Sequence, residues 1–435
     1  MAGKLSPRLS AAVVGCALVA LNVNTAWASG FFIREQSSTA QGNSFAGATA
    51  GADDISYLFF NPAGLTRHTE SEVYLSSAYI IPRSKADDLE GEVTSGPAAG
   101  APIQGESNTG DIGEDAFVPA LYGMWALHED FRLGLGITFP FGLVTDNPED
   151  SVARYHGTRS ELKSVNINPV VAYKVTDWMS IGGGLQVQYV ETQLQNAINA
   201  GGSGIRAEDV DANLRGDSFG YGFTAGLLFE PLKGTRIGLS YRSGIDHDIR
   251  GNVDFDPSVG PFVTSDAEAD FDTPDIARIG IYQDITEEWA VMADLSWTDW
   301  SDFDTLRIKF DDPNLDDSIT EEDWEDTLFV AAGVTYKPQA VEGLTLRLGF
   351  AFDDSPIPEN RRTPRIPGGD RYWVSVGAGY KPFDWAEITL AYTHVFVEDG
   401  DINLDGDGND LNRGSLTGSY DNAIDIITLG GRIIF

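Results

Sequence analysis

Side chains beyond about residue 70 alternate between apolar and polar or small, and this period of two constrains the fold most strongly. Leu346, Leu348 and Phe350 fall on one face of an extended segment, for example, while Arg347 and Gly349 fall on the other. No uninterrupted apolar run in this part reaches the roughly 18 residues of a transmembrane helix. The pattern therefore predicts strands with one apolar face.

Fourteen such segments follow one another, and the connections between them alternate in length. Short connections, such as residues 128–130 and 176–177, take turns with long polar ones. Short turns at one end, long loops at the other and an apolar outer face are typical of outer-membrane barrels. We predict an all-β fold, a transmembrane antiparallel β-barrel of 14 strands over residues 71–435. A soluble β-sandwich or an array of small β-domains is the alternative.

Tryptophans at the ends of several segments support a membrane setting. They are Trp125, Trp178, Trp289, Trp300 and Trp385. Tryptophan is enriched where a membrane meets water. We therefore expect these five side chains at the membrane interfaces.

Residues 1–28 have the pattern of an export signal peptide. Lys4 and Arg8 precede an apolar stretch, and Ala26-Trp27-Ala28 has the small residues of a cleavage site. Cys16 offers an alternative lipoprotein processing site, although the apolar stretch continues beyond it. Cleavage after residue 28 would leave no cysteine, and hence no disulfide or thiolate metal site. Export combined with a barrel predicts the outer membrane of a Gram-negative bacterium.

The chain is strongly acidic, with 29 Lys and Arg against 66 Asp and Glu and a net charge of −37. Nucleic acid is therefore not an expected partner, because phosphate binding needs clustered basic residues. No Gly-x-Ser-x-Gly elbow or phosphate-binding glycine loop is present. We expect neither an enzyme nor an organic cofactor.

Residues 29–70 lack the alternation and are rich in glycine and alanine. Asn61-Pro62-Ala63 within them indicates a turn. A compact segment of small residues ahead of a wide barrel would most simply fold inside it. We predict that residues 29–70 form a hatch, a plug in the barrel lumen.

Several widely spaced segments resemble the long-chain fatty acid transporter family of Gram-negative outer membranes, which includes importers of toluene and related hydrocarbons. The resembling segments are Ser29-Gly30-Phe31, residues 42–47, Asn61-Pro62-Ala63, Tyr241-Arg242-Ser243, residues 296–301 and residues 350–358. The resemblance covers essentially the whole chain after residue 28. It implies a 14-stranded barrel closed by an N-terminal hatch.

The resemblance also implies a route for passive uptake of a hydrophobic small molecule. Ligand would pass from an outer groove to a pocket that touches the hatch, where Phe31, Phe32 and Asn61-Pro62-Ala63 are the candidate residues. It would leave sideways into lipid at a kinked third strand. Phe139-Pro140-Phe141-Gly142 supplies a physical reason for a kink, because proline donates no ladder hydrogen bond and glycine favours a bulge. The alternative is that Pro140 simply ends the strand.

The ligand itself stays open between a fatty acid and an uncharged aromatic or aliphatic hydrocarbon. Glu191 and Glu325 align with lumenal positions that are basic in fatty acid importers, and acids there would repel a carboxylate. Arg347 and Arg34 are possible carboxylate partners. They are also candidates for internal pairing with Asp353, Asp354 or acids of the hatch.

One acidic loop has the spacing of a calcium site. Asp401, Asn403, Asp405 and Asp407 alternate around Gly406, as in an EF-hand loop, although position 12 is Asn and not Glu. A metal-free acidic hairpin loop is the alternative.

The long loops suggest partners and other functions. Residues 311–326 hold nine acids and no base, which could be bridged by cations to lipopolysaccharide. A structural, adhesion or receptor barrel with metal-bridged loops is therefore the alternative function, and an open porin is a third. We expect outer-membrane lipid and lipopolysaccharide as neighbours and a monomer as the oligomeric state.

Overall fold

The structure is a computed structural model that describes residues 30–258 and 260–435, without the side chain of Asn409. The predicted signal peptide, residues 1–28, lies outside the described residues. The helices of the described part are all between three and six residues long, which is too short for a transmembrane helix.

Extended strands make up most of the described chain, and several are interrupted once along their length. The barrel strands are β1 (Glu72–Glu92), β2 (Ala116–Ala126), β3 (Phe131–Thr138 and Gly142–Asp146), β4 (Arg159–Thr176), β5 (Met179–Ile198), β6 (Val210–Leu232), β7 (Thr235–Arg242 and Ile245–Asp256), β8 (Ser265–Thr273 and Ile276–Asp284), β9 (Trp289–Thr298 and Thr305–Phe310), β10 (Ser318–Glu321 and Thr327–Tyr336), β11 (Leu344–Asp353), β12 (Arg371–Phe383), β13 (Ala386–Val397 and Gly400–Leu404) and β14 (Ser415–Ile434). A two-residue strand, Gly110–Asp111, lies in the loop between β1 and β2.

The strands form one closed sheet. Each pairs antiparallel with the next along the chain, and β14 returns to pair with β1, where Val73 lies opposite Ile433. Closure gives every strand two neighbours, so the sheet has no edge strand. The prediction of a 14-stranded antiparallel barrel is confirmed.

The alternation in sequence matches the two faces of the wall. Leu346, Leu348 and Phe350 face outward and are exposed, whereas Arg347 and Gly349 between them are buried inside. Trp125, Trp178, Trp289 and Trp385 are exposed near the short turns, as expected of an interfacial belt.

The expectation for Trp300 is wrong. Its side chain is fully buried, because it follows the first segment of β9 at the interruption and turns into the barrel.

Residues 30–66 precede the barrel and are almost entirely buried. They contain α1 (Ser38–Gln41) and two 3₁₀ helices, Ile55–Phe59 and Pro62–Arg67. Further 3₁₀ helices lie in the loops at Val152–Tyr155, Arg206–Glu208, Glu359–Arg361 and Gly408–Asp410. The burial of residues 30–66 is consistent with the predicted hatch.

Asparagines fasten the hatch to the wall. Asn61 caps the helix that follows it, and its side-chain amide donates to the carbonyls of Thr49 at 2.8 Å and Leu227 at 3.0 Å. Asn43 donates to the carbonyl of Val334 at 3.0 Å. These bonds satisfy polar groups that would otherwise be buried without a partner.

Inward-facing glycines let the hatch approach the wall. A Cβ atom on Gly349 would overlap the backbone of Asn43, and one on Gly238 would overlap the carbonyl of Thr49. The high glycine content, 48 residues, is thus partly explained by close backbone packing between the hatch and the barrel.

We predict that Gly349→Leu unseats the hatch while the barrel still closes, because the added side chain has no room against Asn43. Limited proteolysis of the folded protein in detergent should then cut within residues 30–66. Gly431→Leu is the matched control, since a Cβ there meets nothing within 4 Å. Equal protease resistance in both variants would contradict the packing argument.

Candidate functional site

Strand β3 is interrupted at Phe139-Pro140-Phe141 and resumes at Gly142–Asp146. Pro140 therefore breaks the strand and does not end it. β2 pairs with the first segment of β3 only, from Ala126 opposite Arg132 to Leu121 opposite Ile137. The second segment of β3 pairs with β4 among the described strands. The wall thus loses its regular ladder between β2 and the upper part of β3.

The first residues of the hatch occupy this break. Phe32 and Phe141 form an isolated antiparallel bridge, flanked by hydrogen bonds from Ile33 N to Pro140 O at 2.7 Å and from Gly142 N to Phe31 O at 2.9 Å. The hatch thereby supplies the partners that β2 does not supply at the break.

Gln36 completes the contact. Its side-chain amide donates to the carbonyl of Phe139 at 2.9 Å, and its side-chain oxygen accepts from Phe139 N at 3.1 Å. Phe141 N instead donates to Ser164 Oγ of β4, at 2.8 Å. We call the contacts of Phe31, Phe32, Ile33 and Gln36 with residues 139–142 the hatch latch.

An aromatic cluster surrounds Phe31. Ring centroids lie 4.7 Å away for Trp300, 5.2 Å for Phe271, 5.4 Å for Trp324 and 5.7 Å for Phe303. Edge-to-face and tilted contacts of this kind stabilise aromatic clusters. Phe31 therefore belongs to two sets of contacts. Its carbonyl takes part in the hatch latch, and its ring packs in the aromatic cluster.

Four rings of the cluster, those of Phe31, Phe271, Phe303 and Trp324, line a largely apolar pocket. Its walls are mainly aliphatic and include Leu143, Leu162, Ile249, Ile357 and Ile366. Such a lining suits an apolar molecule or the tail of an amphipathic one.

A second, wider cavity lies among the long loops, and we call it the outer groove. The pocket and the outer groove share a ring of lining residues, which we call the waist. The waist consists of Leu194, Leu214, Leu306, Ile308, Glu322, Thr363 and Arg365. The two cavities are therefore neighbours in one path.

Two charged side chains stand in this otherwise apolar waist. Glu322 lies between the two segments of β10, and burial raises the pKa of its carboxyl to about 7. Burial likewise lowers the pKa of the Arg365 guanidinium to about 10, so Arg365 stays charged at neutral pH.

Arg34, Arg347 and Asp353 lie inside the barrel as expected, and both arginines pair internally. Arg34 lies 3.4 Å from Asp353, and Arg347 lies 3.8 Å from Asp53 of the hatch. Asp354 follows the end of β11 and is half-buried. Neither arginine lines the pocket.

The expectation that Glu191 and Glu325 are lumenal is wrong. Glu191 and Leu185 are separated by an even number of residues along β5 and so lie on the same face, and Leu185 is exposed on the outside of the barrel. Val190, which precedes Glu191, is buried inside. Glu325 is exposed in the loop after Trp324. The argument that these two acids repel a carboxylate from the lumen therefore fails.

The predicted calcium residues lie along an extended segment. Asp401 and Asn403 belong to β13 and are exposed, and Asp405 and Asp407 follow it, also exposed. Among the described side chains, no three His, Cys, Asp or Glu residues are grouped closely enough to hold a metal ion. Calcium binding here stays a prediction.

Sequence reasoning missed Trp324, Phe271, Phe303, Glu322 and Arg365. In the sequence, the aromatic residues resemble ordinary strand or loop residues. Glu322 is one of the nine acids in residues 311–326, and nothing in the sequence distinguishes it from the others. A signal for four of them was their position beside strand interruptions, whereas Arg365 lies in the long loop between β11 and β12.

The comparisons with known proteins agree with this geometry. The family described as outer membrane protein transport protein (OMPP1/FadL/TodX) matches the chain over residues 19–435. The chain belongs to this family. As a member of the OMPP1/FadL/TodX family, it is an outer-membrane transport protein and not an enzyme.

Two curated relatives are similar along most of their length. The long-chain fatty acid transport protein of Escherichia coli O6:H1 is 29% identical over 412 residues, which covers 87% of this chain and 89% of the relative. Outer membrane protein P1 of Haemophilus influenzae is 26% identical over 410 residues, covering 85% and 86%.

Solved structures in the family share the fold. A Pseudomonas aeruginosa FadL homologue superposes with a TM-score of 0.83 at 22% identity, covering 93% of this chain and 99% of the other. The Pseudomonas putida toluene transporter TodX gives a TM-score of 0.68 at 16% identity, covering 93% and 99%.

We predict that Arg34→Met destabilises the protein by up to about 3 kcal/mol, because it removes the closest cationic partner of a buried carboxylate. The side chain of Asp353 is 0% exposed. The melting temperature in detergent should fall clearly. The matched control is Arg83→Met, whose pair with Asp111 is exposed and should contribute little. Equal melting temperatures for the two variants would contradict a structural role of the Arg34 pair.

Proposed function

We propose that this protein takes up hydrophobic small molecules across the outer membrane by passive diffusion, with lateral exit at the break in β3. The substrate class rests on the apolar pocket and on the relatives, which are named for long-chain fatty acid transport and for toluene transport. The observation that carries the route is Phe31, which belongs to both the pocket and the hatch latch.

The proposed route has three stages. A ligand enters the outer groove, passes the waist and reaches the pocket, where it contacts the aromatic cluster. A ligand that displaces the Phe31 ring also strains the hydrogen bond between Phe31 O and Gly142 N. Because these contacts share one residue, binding in the pocket favours opening of the hatch latch.

The exit step needs no energy source. Once the hatch latch opens, the gap between β2 and β3 faces the hydrocarbon core of the membrane. Transfer of apolar surface from a hydrated path into lipid is favourable by about 25 cal/mol per Å². We further propose that the protein works as a monomer surrounded by lipid and lipopolysaccharide, because one chain supplies the groove, the pocket and the break.

A reversible disulfide across the hatch latch tests this route. Phe32 and Phe141 form a non-hydrogen-bonded antiparallel pair, whose Cα atoms are typically about 4.5 Å apart, a distance that a disulfide can span. We predict that oxidised Phe32→Cys/Phe141→Cys protein loses most uptake of labelled oleate or toluene, and that reduction restores it.

The assay uses a Gram-negative host that lacks its own long-chain fatty acid transport protein. The single variants Phe32→Cys and Phe141→Cys control for loss of the aromatic rings, and they should respond little to the oxidant. Full uptake by the oxidised double variant would contradict lateral exit. A steady ion current through the intact protein would instead favour a porin, and unchanged cell uptake without the protein would favour an adhesion or structural barrel.

A further inference from the structure

The waist is largely apolar and contains one cation, Arg365, that has no salt bridge among the described residues. Arg365 donates from Nη1 to the carbonyl of Arg159 at 3.0 Å and to Ser160 Oγ at 2.8 Å, and from Nη2 to the carbonyl of Gln195 at 3.2 Å. All three acceptors are neutral. They fix the direction of the guanidinium without cancelling its charge, and they leave N–H donors unused.

The other charged groups that face the pocket have partners. Arg361 pairs with Glu321 at 2.9 Å and with Asp323 at 2.6 Å. Glu161 pairs with Arg159 at 2.8 Å and also with Lys163. Among the ion pairs of the described chain, none includes Arg365 or Glu322.

The charged groups that face the outer groove are also accounted for. Arg413 pairs with Asp410 at 2.7 Å, Asp317 pairs with Arg307, and Asp316 is exposed to solvent. His156 donates from Nε2 to the carbonyl of Gly414 at 3.1 Å, and burial lowers the pKa of its imidazole to about 4, so it is neutral at physiological pH. Among the described acids that line the groove, Glu322 is therefore the one that acts on the charge of Arg365.

Glu322 can complete a site for an anion. It accepts a hydrogen bond from Trp324 Nε1 at 3.1 Å, and Trp324 belongs to the aromatic cluster around Phe31. Arg365, Arg413 and Asp410 act on Glu322 electrostatically. When its carboxyl is protonated, it adds an O–H donor, whereas its anion would offset the charge of Arg365.

We propose that Arg365 and Glu322 bind the carboxylate of an amphipathic ligand at the waist, which makes this chain selective for hydrophobic monocarboxylates over uncharged hydrocarbons. This inference rests on the proposed function, because it places the ligand tail in the same apolar pocket. Arg365 and Glu322 thus carry the specificity that was expected of Arg347 and Arg34.

Equilibrium dialysis of labelled laurate and dodecanol against the full protein in nanodiscs tests the proposal, with empty nanodiscs subtracted. The two probes have the same tail and differ in the head group. We expect Arg365→Gln to weaken laurate binding about tenfold or more, as for loss of a charged hydrogen bond, and to leave dodecanol binding within about twofold. Arg83→Gln is the control and should change neither value much, since Arg83 pairs with Asp111 and lines neither cavity.

A second variant, Glu322→Gln, measured with dodecanesulfonate as the probe, tests the proposal if Arg365→Gln folds poorly. Dodecanesulfonate stays anionic at all relevant pH values, so its binding reports the protein alone. Because the carboxyl of Glu322 has a pKa of about 7, binding to the wild type should weaken between about pH 6 and about pH 8. Glu322→Gln should abolish this pH dependence and bind the sulfonate more tightly at the higher pH.

The outcomes separate the inference from the function on which it rests. Equal laurate binding by Arg365→Gln and Arg83→Gln, or an unchanged pH dependence in Glu322→Gln, would overturn the head-group assignment while the pocket still bound both probes. Failure of the wild type to bind either laurate or dodecanol would overturn the proposed function and the inference together.

Discussion

A barrel wall in lipid has to satisfy its own backbone hydrogen bonds, and the rest of this structure depends on how the break in β3 meets that requirement. The unpaired groups at Phe139, Pro140 and Gly142 are satisfied by the hatch, not by β2. In hydrocarbon an unsatisfied backbone group costs several kcal/mol. The hatch latch therefore replaces the hydrogen bonds that β2 does not make at the break, and the proposed route depends on its opening.

The interior of the barrel has two kinds of surface: one packs tightly against the hatch and forms ion pairs with it, and the other lines the path for a ligand. Glycines such as Gly349 and Gly238 admit the hatch backbone, and buried pairs such as Arg34 with Asp353 tie the hatch to the wall. At the waist this pairing is missing, since the hydrogen-bond acceptors of Arg365 are all neutral. The carboxylate of a ligand would supply the anion that Arg365 lacks.

The barrel could be predicted from the sequence because alternation with a period of two is a local signal, repeated in each strand. The face on which a given side chain lies is harder to predict, because an alignment slip of one residue moves that side chain to the opposite face. Glu191 was misplaced for this reason. Trp300 was misplaced because a tryptophan after an interrupted strand can turn inward as easily as outward. The pairing of Arg34 with Asp353 was among the sequence-based alternatives, whereas the contact between Phe31 and Trp324 joins residues hundreds of positions apart and leaves no local pattern.

Hydrogen exchange at individual amides tests most directly whether the hatch holds the break closed and ligand releases it. The amides of Ile33, Phe139 and Gly142 donate across the hatch latch, whereas that of Phe141 donates to Ser164 within the wall. The account predicts that laurate speeds exchange at the first three amides and leaves Phe141 protected. Unchanged or slower exchange at Ile33, Phe139 and Gly142 with ligand bound would contradict it.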